Sequence, residues 1–170
     1  MAEKNHWSFP EQIWQLNYVQ GAEGLGIQVQ YHQETKAHYA QVWLGKSERQ
    51  EISALDNSLQ ADIVIKKPDL YIAPNPHFDS LQAFLFQALG AQVEKQVEYY
   101  EGARMLVFSY YLYDSEWKQS LLVCDVQGRP LYQQEIQASA LKAYPSFQVL
   151  QDRYLVFIQN KTELVVYELD

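Results

Sequence analysis

Near its C-terminus the chain reads Ala103-Arg104-Met105-Leu106-Val107-Phe108 and, after a connection, Leu121-Leu122-Val123-Cys124-Asp125-Val126. The same order of residue types returns as Asp152-Arg153-Tyr154-Leu155-Val156-Phe157 and, after a connection six residues shorter, Leu164-Val165-Val166-Tyr167-Glu168-Leu169. Short apolar runs of this kind, bounded by polar residues, are typical of β-strands. The repeat therefore predicts two related antiparallel strand pairs, the first with a longer loop between its strands.

The remaining sequence also favours strands. Alternation of Val93 and Val97 with Glu94 and Glu98 predicts a strand whose carboxylates face solvent. The glycine of Gln127-Gly128 and the polar residues of Gln151-Asp152 and Asn160-Lys161 predict tight turns. The second half therefore reads as a meander of local strand pairs. Further strands are predicted over residues 13–18, 25–31, 39–44, 52–55 and 61–65, the second and third of which form a hairpin.

One helix is predicted over residues 79–89. Its apolar residues fall at the spacing of one helix face: Leu81, Phe84, Leu85, Ala88 and Leu89. Asp79 or Ser80 is the expected N-cap, and Gly90 is the expected end. The apolar stripe has to be covered, and an exposed sheet face or an open barrel end is the expected partner.

Composition limits the class of protein. The 170 residues suit one domain, 1–170, and 14% aromatic residues favour half-buried sheets. A net charge of −8 opposes binding to nucleic acid and to anionic membranes. A single cysteine, Cys124, gives no internal disulfide, and the N-terminal residues lack the apolar core of a signal peptide. We therefore expect a cytoplasmic protein with no nucleic-acid and no membrane partner.

A second architectural indication comes from the segment Leu121-Leu122-Val123-Cys124-Asp125-Val126-Gln127-Gly128-Arg129-Pro130-Leu131-Tyr132. It is similar to a blade segment of quinoprotein-type β-propellers, and residues 104–169 resemble an uncharacterised bacterial domain family with such strands. The resemblance implies a mainly β fold, an antiparallel meander with propeller-like strand repeats, and it implies no catalytic or quinone-binding residue. An up-and-down β-barrel or a sandwich fits the strand number equally well.

The histidines are candidates for chemistry. His32 and His38 flank the first hairpin loop, and they share a sheet face if five residues form that loop. Zinc requires at least one further protein ligand, which no spacing marks. His77 precedes the predicted helix in Pro74-Asn75-Pro76-His77-Phe78-Asp79, where a nearby carboxylate would make it a general base. The alternative is structural, with Asp79 as the helix cap and Phe78 as a hydrophobic staple.

Aromatic residues are the strongest candidates for binding. Trp117 lies in the predicted longer loop of the first repeat, Asp114-Ser115-Glu116-Trp117, and Tyr111 and Tyr113 precede it. Residues with apolar rings and polar tips are enriched at interfaces. His77 and Phe78 are further candidates, as the mouth of a pocket. Cys124 lies in the middle of a strand and reads as a buried small residue.

These patterns predict a non-enzymatic cytoplasmic binding or protein-interaction module with no cofactor and no metal. Its partner is expected to be a protein or a small molecule, and an exposed strand edge would permit a homodimer. The alternative is a small-ligand-binding β-barrel closed by the helix. A hydrolase or metal enzyme that uses histidine and carboxylate residues ranks last.

Overall fold

The computed structural model describes residues 1–56, 62–138 and 145–169, which form fourteen β-strands and one helix. Contacts divide the chain into two compact units, Met1–Lys66 with Val149–Leu169, and Lys67–Gln148. A single domain over 1–170 stays a prediction, because two compact units can belong to one domain. In chain order the elements are β1 (Ala2–Ser8), β2 (Ile13–Gly21), β3 (Gly24–Gln33), β4 (Lys36–Trp43), β5 (Arg49–Ile52), β6 (Ile65–Lys66), β7 (Asp69–Ile72), α1 (Pro76–Leu89), β8 (Glu94–Glu101), β9 (Met105–Asp114), β10 (Glu116–Asp125), β11 (Pro130–Ala138), β12 (Phe147–Leu150), β13 (Tyr154–Gln159) and β14 (Glu163–Glu168).

The first unit holds two sheets. One has the strand order β2-β3-β4-β5, so its neighbours follow one another along the chain. The other has the order β1-β14-β13-β12-β6 and joins strands from both ends of the sequence. Apolar residues of both sheets belong to one core, among them Ile27, Val29, Val42, Val156, Leu164 and Val166. Burial of this shared core stabilises the two sheets together.

The second unit is one sheet with the order β11-β10-β9-β8-β7, and α1 packs on one of its faces. Phe78 and Leu85 of the helix share a core with Phe108 and Leu122 of the central strands. The opposite face is buried as well, since Leu121, the neighbour of Leu122 in β10, is 0% exposed. Both faces of this sheet are therefore buried at its centre.

The two predicted strand pairs are confirmed as antiparallel hairpins, and they have the same register. Phe108 lies opposite Leu122 in β9 and β10, and Phe157 lies opposite Val165 at the equivalent position of β13 and β14. The prediction of a longer loop in the first pair is wrong, because β9 and β10 stay paired up to a turn at Ser115, which has a φ of 61°. The six additional residues therefore lengthen the hairpin instead of its loop.

The two five-stranded sheets share a further property. On the side away from β9, the neighbour of β10 is β11, which follows β10 directly in the chain. On the side away from β13, the neighbour of β14 is β1. The N-terminal strand thus occupies in one sheet the position that β11 occupies in the other. The sequence patterns do not predict β1, whose residues are mostly polar and exposed, apart from the buried Trp7.

Tight turns set the register of the hairpins. The predicted turns at Gln151-Asp152 and Asn160-Lys161 are confirmed, and all four residues have φ between 49° and 66°. The first hairpin does not have the five-residue loop on which a shared face of His32 and His38 depends. Glu34 and Thr35 form a two-residue turn with φ of 51° and 65°, the type that matches strand twist.

Two predicted strands lie elsewhere. β5 ends at Ile52, where the predicted strand 52–55 begins, and only Ile65 of the predicted strand 61–65 lies in a strand, β6. Of the predicted strand 61–65, residue 61 lies outside the described residues. Both corrections concern short segments in which alternation is weak.

The helix begins three residues before its predicted start. The Asn75 side chain accepts a hydrogen bond from the backbone N of His77 at 2.8 Å, so Asn75 is the N-cap in place of Asp79 or Ser80. Pro76 follows as the first helical residue, a position where its fixed φ is favourable and its missing N–H costs nothing. Gly90 ends the helix as predicted, with a φ of 68°. Among the described residues, no helix is long and apolar enough to cross a lipid bilayer.

A mainly β fold of antiparallel sheets with one helix is confirmed within the described residues. The sheets are open, because β2 and β5, for example, are the outer strands of the four-stranded sheet. The up-and-down barrel is therefore wrong.

Candidate functional site

Two aromatic side chains, the exposed Tyr113 and the partly buried Trp117, form a pair near the tip of the β9–β10 hairpin. Tyr113 and Trp117 lie directly opposite each other, with ring centroids 5.1 Å apart, and Tyr113 is 59% exposed. The Lys95 Nζ lies 5.4 Å from the centroid of the Trp117 ring, a distance at which a cation is attracted to the ring face. Lys95, Tyr113 and Trp117 form what we call the hairpin-tip surface.

Two of the predicted binding residues do not reach the surface. Tyr111 is 1% exposed and Phe78 is 3% exposed, the latter in the core between α1 and its sheet. Tyr110, on the other face of β9, is 0% exposed, and burial raises the pKa of its hydroxyl. Alternation correctly places Tyr111 and Tyr113 on one face. Tyr111 lies in the buried part of that face, whereas Tyr113 lies in its exposed part.

His77 is the second residue of α1 and is exposed. Its ring lies 5.5 Å from the ring of Tyr71, and the hydrogen bonds of the described residues give it no carboxylate partner. Asp79 lies in the first turn of the same helix, where a negative charge is favourable to the helix dipole. The structure thus gives His77 an aromatic neighbour instead of the carboxylate that a general base requires.

His32 and His38 lie on opposite faces of their sheet. His38 is opposite Tyr31, and His32 is opposite Ala37, because the turn between the strands has two residues instead of five. The two histidines therefore lack the shared face that a joint metal site requires. Within the residues that the structure describes, no three His, Cys, Asp or Glu side chains are grouped as a metal ion would need.

Cys124 is 0% exposed in the core beside α1, and burial raises the pKa of its thiol to about 11, with a smaller contribution from Asp125. At pH 8 the thiol is therefore protonated. We expect it to react with Ellman's reagent about 100-fold more slowly in native buffer than in denaturant, since only the thiolate attacks. Rapid labelling of one thiol per chain in native buffer would contradict the burial.

A buried group of polar side chains lies on the face of the second unit's sheet opposite α1. Glu98 is 1% exposed, and its carboxylate accepts hydrogen bonds from the backbone N of Ser146, at 2.7 Å, and from the Ser146 hydroxyl. The Gln119 Nε2 donates to the Ser109 Oγ at 2.8 Å and to the Ser146 Oγ. The solvent-facing position predicted for Glu98 is wrong, because this face of the sheet is buried.

A second group of polar side chains crosses the four-stranded sheet of the first unit. Four amides are neighbours across all of its strands, and we call them the amide row: Asn17, Gln28, Gln41 and Gln50. The first three are 6%, 3% and 5% exposed. The Gln28 Oε1 accepts from the Asn17 Nδ2 at 3.1 Å and from the backbone N of Asp56 at 2.8 Å. The chain after β5 therefore covers a face that alternation alone would leave in water.

The amide row ends in a cleft of about 360 Å³. Trp43, two residues after Gln41 in β4, lies on the same face and is opposite Gly26. We call this the Trp43 cleft. It is lined by Gln41, Trp43 and Gln50 and by the charged side chains Glu23, Lys46, Glu48 and Arg49.

No family model matches the chain, and no curated protein or solved structure matches it significantly. The resemblance of residues 104–169 to propeller-like strands therefore stays an expectation. Any functional assignment depends on the geometry of the hairpin-tip surface and of the Trp43 cleft.

Proposed function

We propose that the protein is a cytoplasmic, non-enzymatic binding module that takes a partner protein on its hairpin-tip surface. The observation that carries this proposal is the pair of Tyr113, which is 59% exposed, and the partly buried Trp117, whose ring lies 5.1 Å from that of Tyr113. Tyrosine and tryptophan are the side chains that most often dominate binding energy at protein interfaces. A hairpin fixes their backbone, so little conformational entropy is lost when a partner binds.

The chemistry of the surface indicates what it would contact. The two rings are inclined at 57° to each other and offer an apolar notch for a leucine, methionine or proline side chain. Lys95 adds a positive charge beside the Trp117 ring. A partner segment that presents an apolar side chain next to a carboxylate would therefore match both properties.

The other predicted functions have less support. An enzyme that uses histidine has no assembled acid–base pair at His77 and no shared face for His32 and His38. A ligand inside a barrel has no closed sheet to hold it. Propeller-like strand repeats remain part of the proposal, supported by the matched register of β9–β10 and β13–β14. A homodimer through an outer strand such as β11 is proposed on the same open topology.

The test is a quantitative pull-down that compares the wild-type protein with three variants. Trp117→Ala and Tyr113→Ala are each expected to weaken capture of a specific partner about 30-fold, which corresponds to about 2 kcal/mol. Trp14→Ala is the matched control, because Trp14 is 58% exposed but lies in the first unit.

A partner that Trp14→Ala retains and both hairpin variants lose supports the proposal. Identical partners for all four proteins, or a partner lost only with Trp14→Ala, would show that the hairpin-tip surface is not the binding site. Circular dichroism spectra that match the wild type establish that each variant is folded.

A further inference from the structure

The Trp43 cleft combines an aromatic platform with the fixed amide of Gln41 and the free amide of Gln50, and we propose that it binds an uncharged saccharide. This site is separate from the hairpin-tip surface and does not depend on the function proposed for it. Three features carry the inference: the support of the indole ring, the free hydrogen-bonding groups of the amides, and the pairing of both cations around the cleft.

The indole of Trp43 rests on two glycines. A Cβ added at Gly26 would lie 2.6 Å from the Trp43 Cε3, and one at Gly21 would lie 2.7 Å from the Trp43 Cη2. Both distances are shorter than any real contact, so a side chain at either position would displace the ring. Because neither glycine has a side chain, the ring can pack directly against the strands. Trp43 is only partly buried, and it also lines the cleft. The apolar C–H face of a pyranose packs well on such a ring.

The amides supply the polar contacts. The Gln41 Nε2 donates to the backbone O of Val42 at 3.0 Å and of Ile27 at 3.4 Å, which fixes the side chain. Among the described residues, the Gln41 Oε1 accepts no hydrogen bond, and the exposed amide of Gln50 makes none. Sugar hydroxyls both donate and accept hydrogen bonds. They can therefore donate to the Gln41 Oε1, and they can both donate to and accept from the side-chain amide of Gln50.

The charges around the cleft disfavour an anionic ligand, because Glu48 lines it without an ion-pair partner among the described residues, whereas both cations are paired. Lys46 forms an ion pair with Glu23, and the Arg49 Nε lies 3.1 Å from the Glu51 Oε1. Arg49 also donates to the backbone O of Ser8 at 3.1 Å, so neither cation is available to neutralise an anion. A volume of about 360 Å³ lies within the range of small-molecule sites and suits one or two sugar rings.

The binding test uses the full chain with a defined set of probes. Saturation-transfer difference NMR with glucose, galactose, mannose, maltose, cellobiose and lactose identifies which sugar binds, and calorimetry measures its affinity. We expect at least one of them to bind with a dissociation constant on the order of 1 mM or tighter. Glucuronate, whose negative charge Glu48 would repel, is expected to bind more weakly than the neutral sugar, and glucosamine serves as the cationic comparison.

Variants assign the binding to the cleft. Trp43→Ala is expected to weaken it at least tenfold, and Gln50→Ala, an exposed substitution that leaves the fold intact, about threefold. Trp14→Ala is the control and should bind as the wild type does, since Trp14 lies outside the cleft. If Trp43→Ala does not fold, Trp43→Phe with a smaller loss of affinity replaces it.

Three outcomes would overturn the proposal. One is that none of the sugars binds at millimolar concentration. A second is that only glucosamine or glucuronate binds, which would make charge the basis of recognition. The third is that binding survives unchanged in both Trp43 and Gln50 variants. None of these results would bear on the partner proposed for Tyr113 and Trp117.

Discussion

Replacing Phe108 with alanine is expected to lower the free energy of unfolding by about 3–5 kcal/mol. Phe108 is 1% exposed, and its ring lies 5.1 Å from the rings of both Phe84 and Tyr99. Removing it leaves a cavity between α1 and the sheet, and the surrounding side chains can only partly refill it. Urea denaturation followed by circular dichroism measures the change.

The matched control for this substitution is Phe86→Ala. Phe86 lies in α1, the helix that packs over Phe108, but is 54% exposed, so its loss should change the free energy of unfolding by less than about 0.5 kcal/mol. Equal effects of the two substitutions would mean that α1 does not cover the sheet through Phe108.

Replacing Glu98 with alanine is expected to lower the free energy of unfolding by about 2–4 kcal/mol. The carboxylate accepts from the backbone N and from the hydroxyl of Ser146, and all these groups are buried. Without it, the two donors lose an acceptor in a place that water does not reach, and a small cavity remains. The same denaturation experiment measures this change.

Glu94→Ala is the control for Glu98, because Glu94 lies in the same strand, β8, and is exposed. It should leave the stability within about 0.5 kcal/mol of the wild type. The expectation for Glu98 fails if its substitution is as neutral as that of Glu94. Ser146→Ala, which keeps the backbone donor and removes only the hydroxyl, should fall between the two.

Local patterns predicted the parts of the fold that depend on neighbouring residues. The apolar stripe of α1 and the end of the helix at Gly90 follow from spacing alone. The strand pairs β9–β10 and β13–β14 follow from apolar runs and tight turns. β1 could not be predicted in this way, because its stability comes from pairing with β14, which lies at the other end of the sequence.

Exposure was harder to predict than strand position. Alternation placed Glu98 in solvent on the assumption that one face of its sheet is wet. The continuous apolar run Leu121-Leu122-Val123-Cys124 contains the missing signal, since strands without alternation are buried on both faces. A carboxylate on a strand near such a run is a candidate for burial.

The candidate sites show the same limit. Tyr113 and Trp117 were identified from composition and loop position, and the structure places them together because the hairpin is longer than expected. The Trp43 cleft depends on the register of β3, β4 and β5, which places Gly26 opposite Trp43 and Gln50 opposite Gln41 on one face. Register among several strands is not encoded in any single segment, and no spacing along the chain could reveal the cleft.

The pairing of β1 with β14 has a consequence for biosynthesis. The side chains of His6 and Glu163 are hydrogen-bonded across 157 positions of the chain. While the ribosome translates the intervening residues, β14 has not yet been made, so β1 stays unpaired. The sheet that contains both strands can therefore be finished only after β14 has left the exit tunnel, whereas the local hairpins can form earlier.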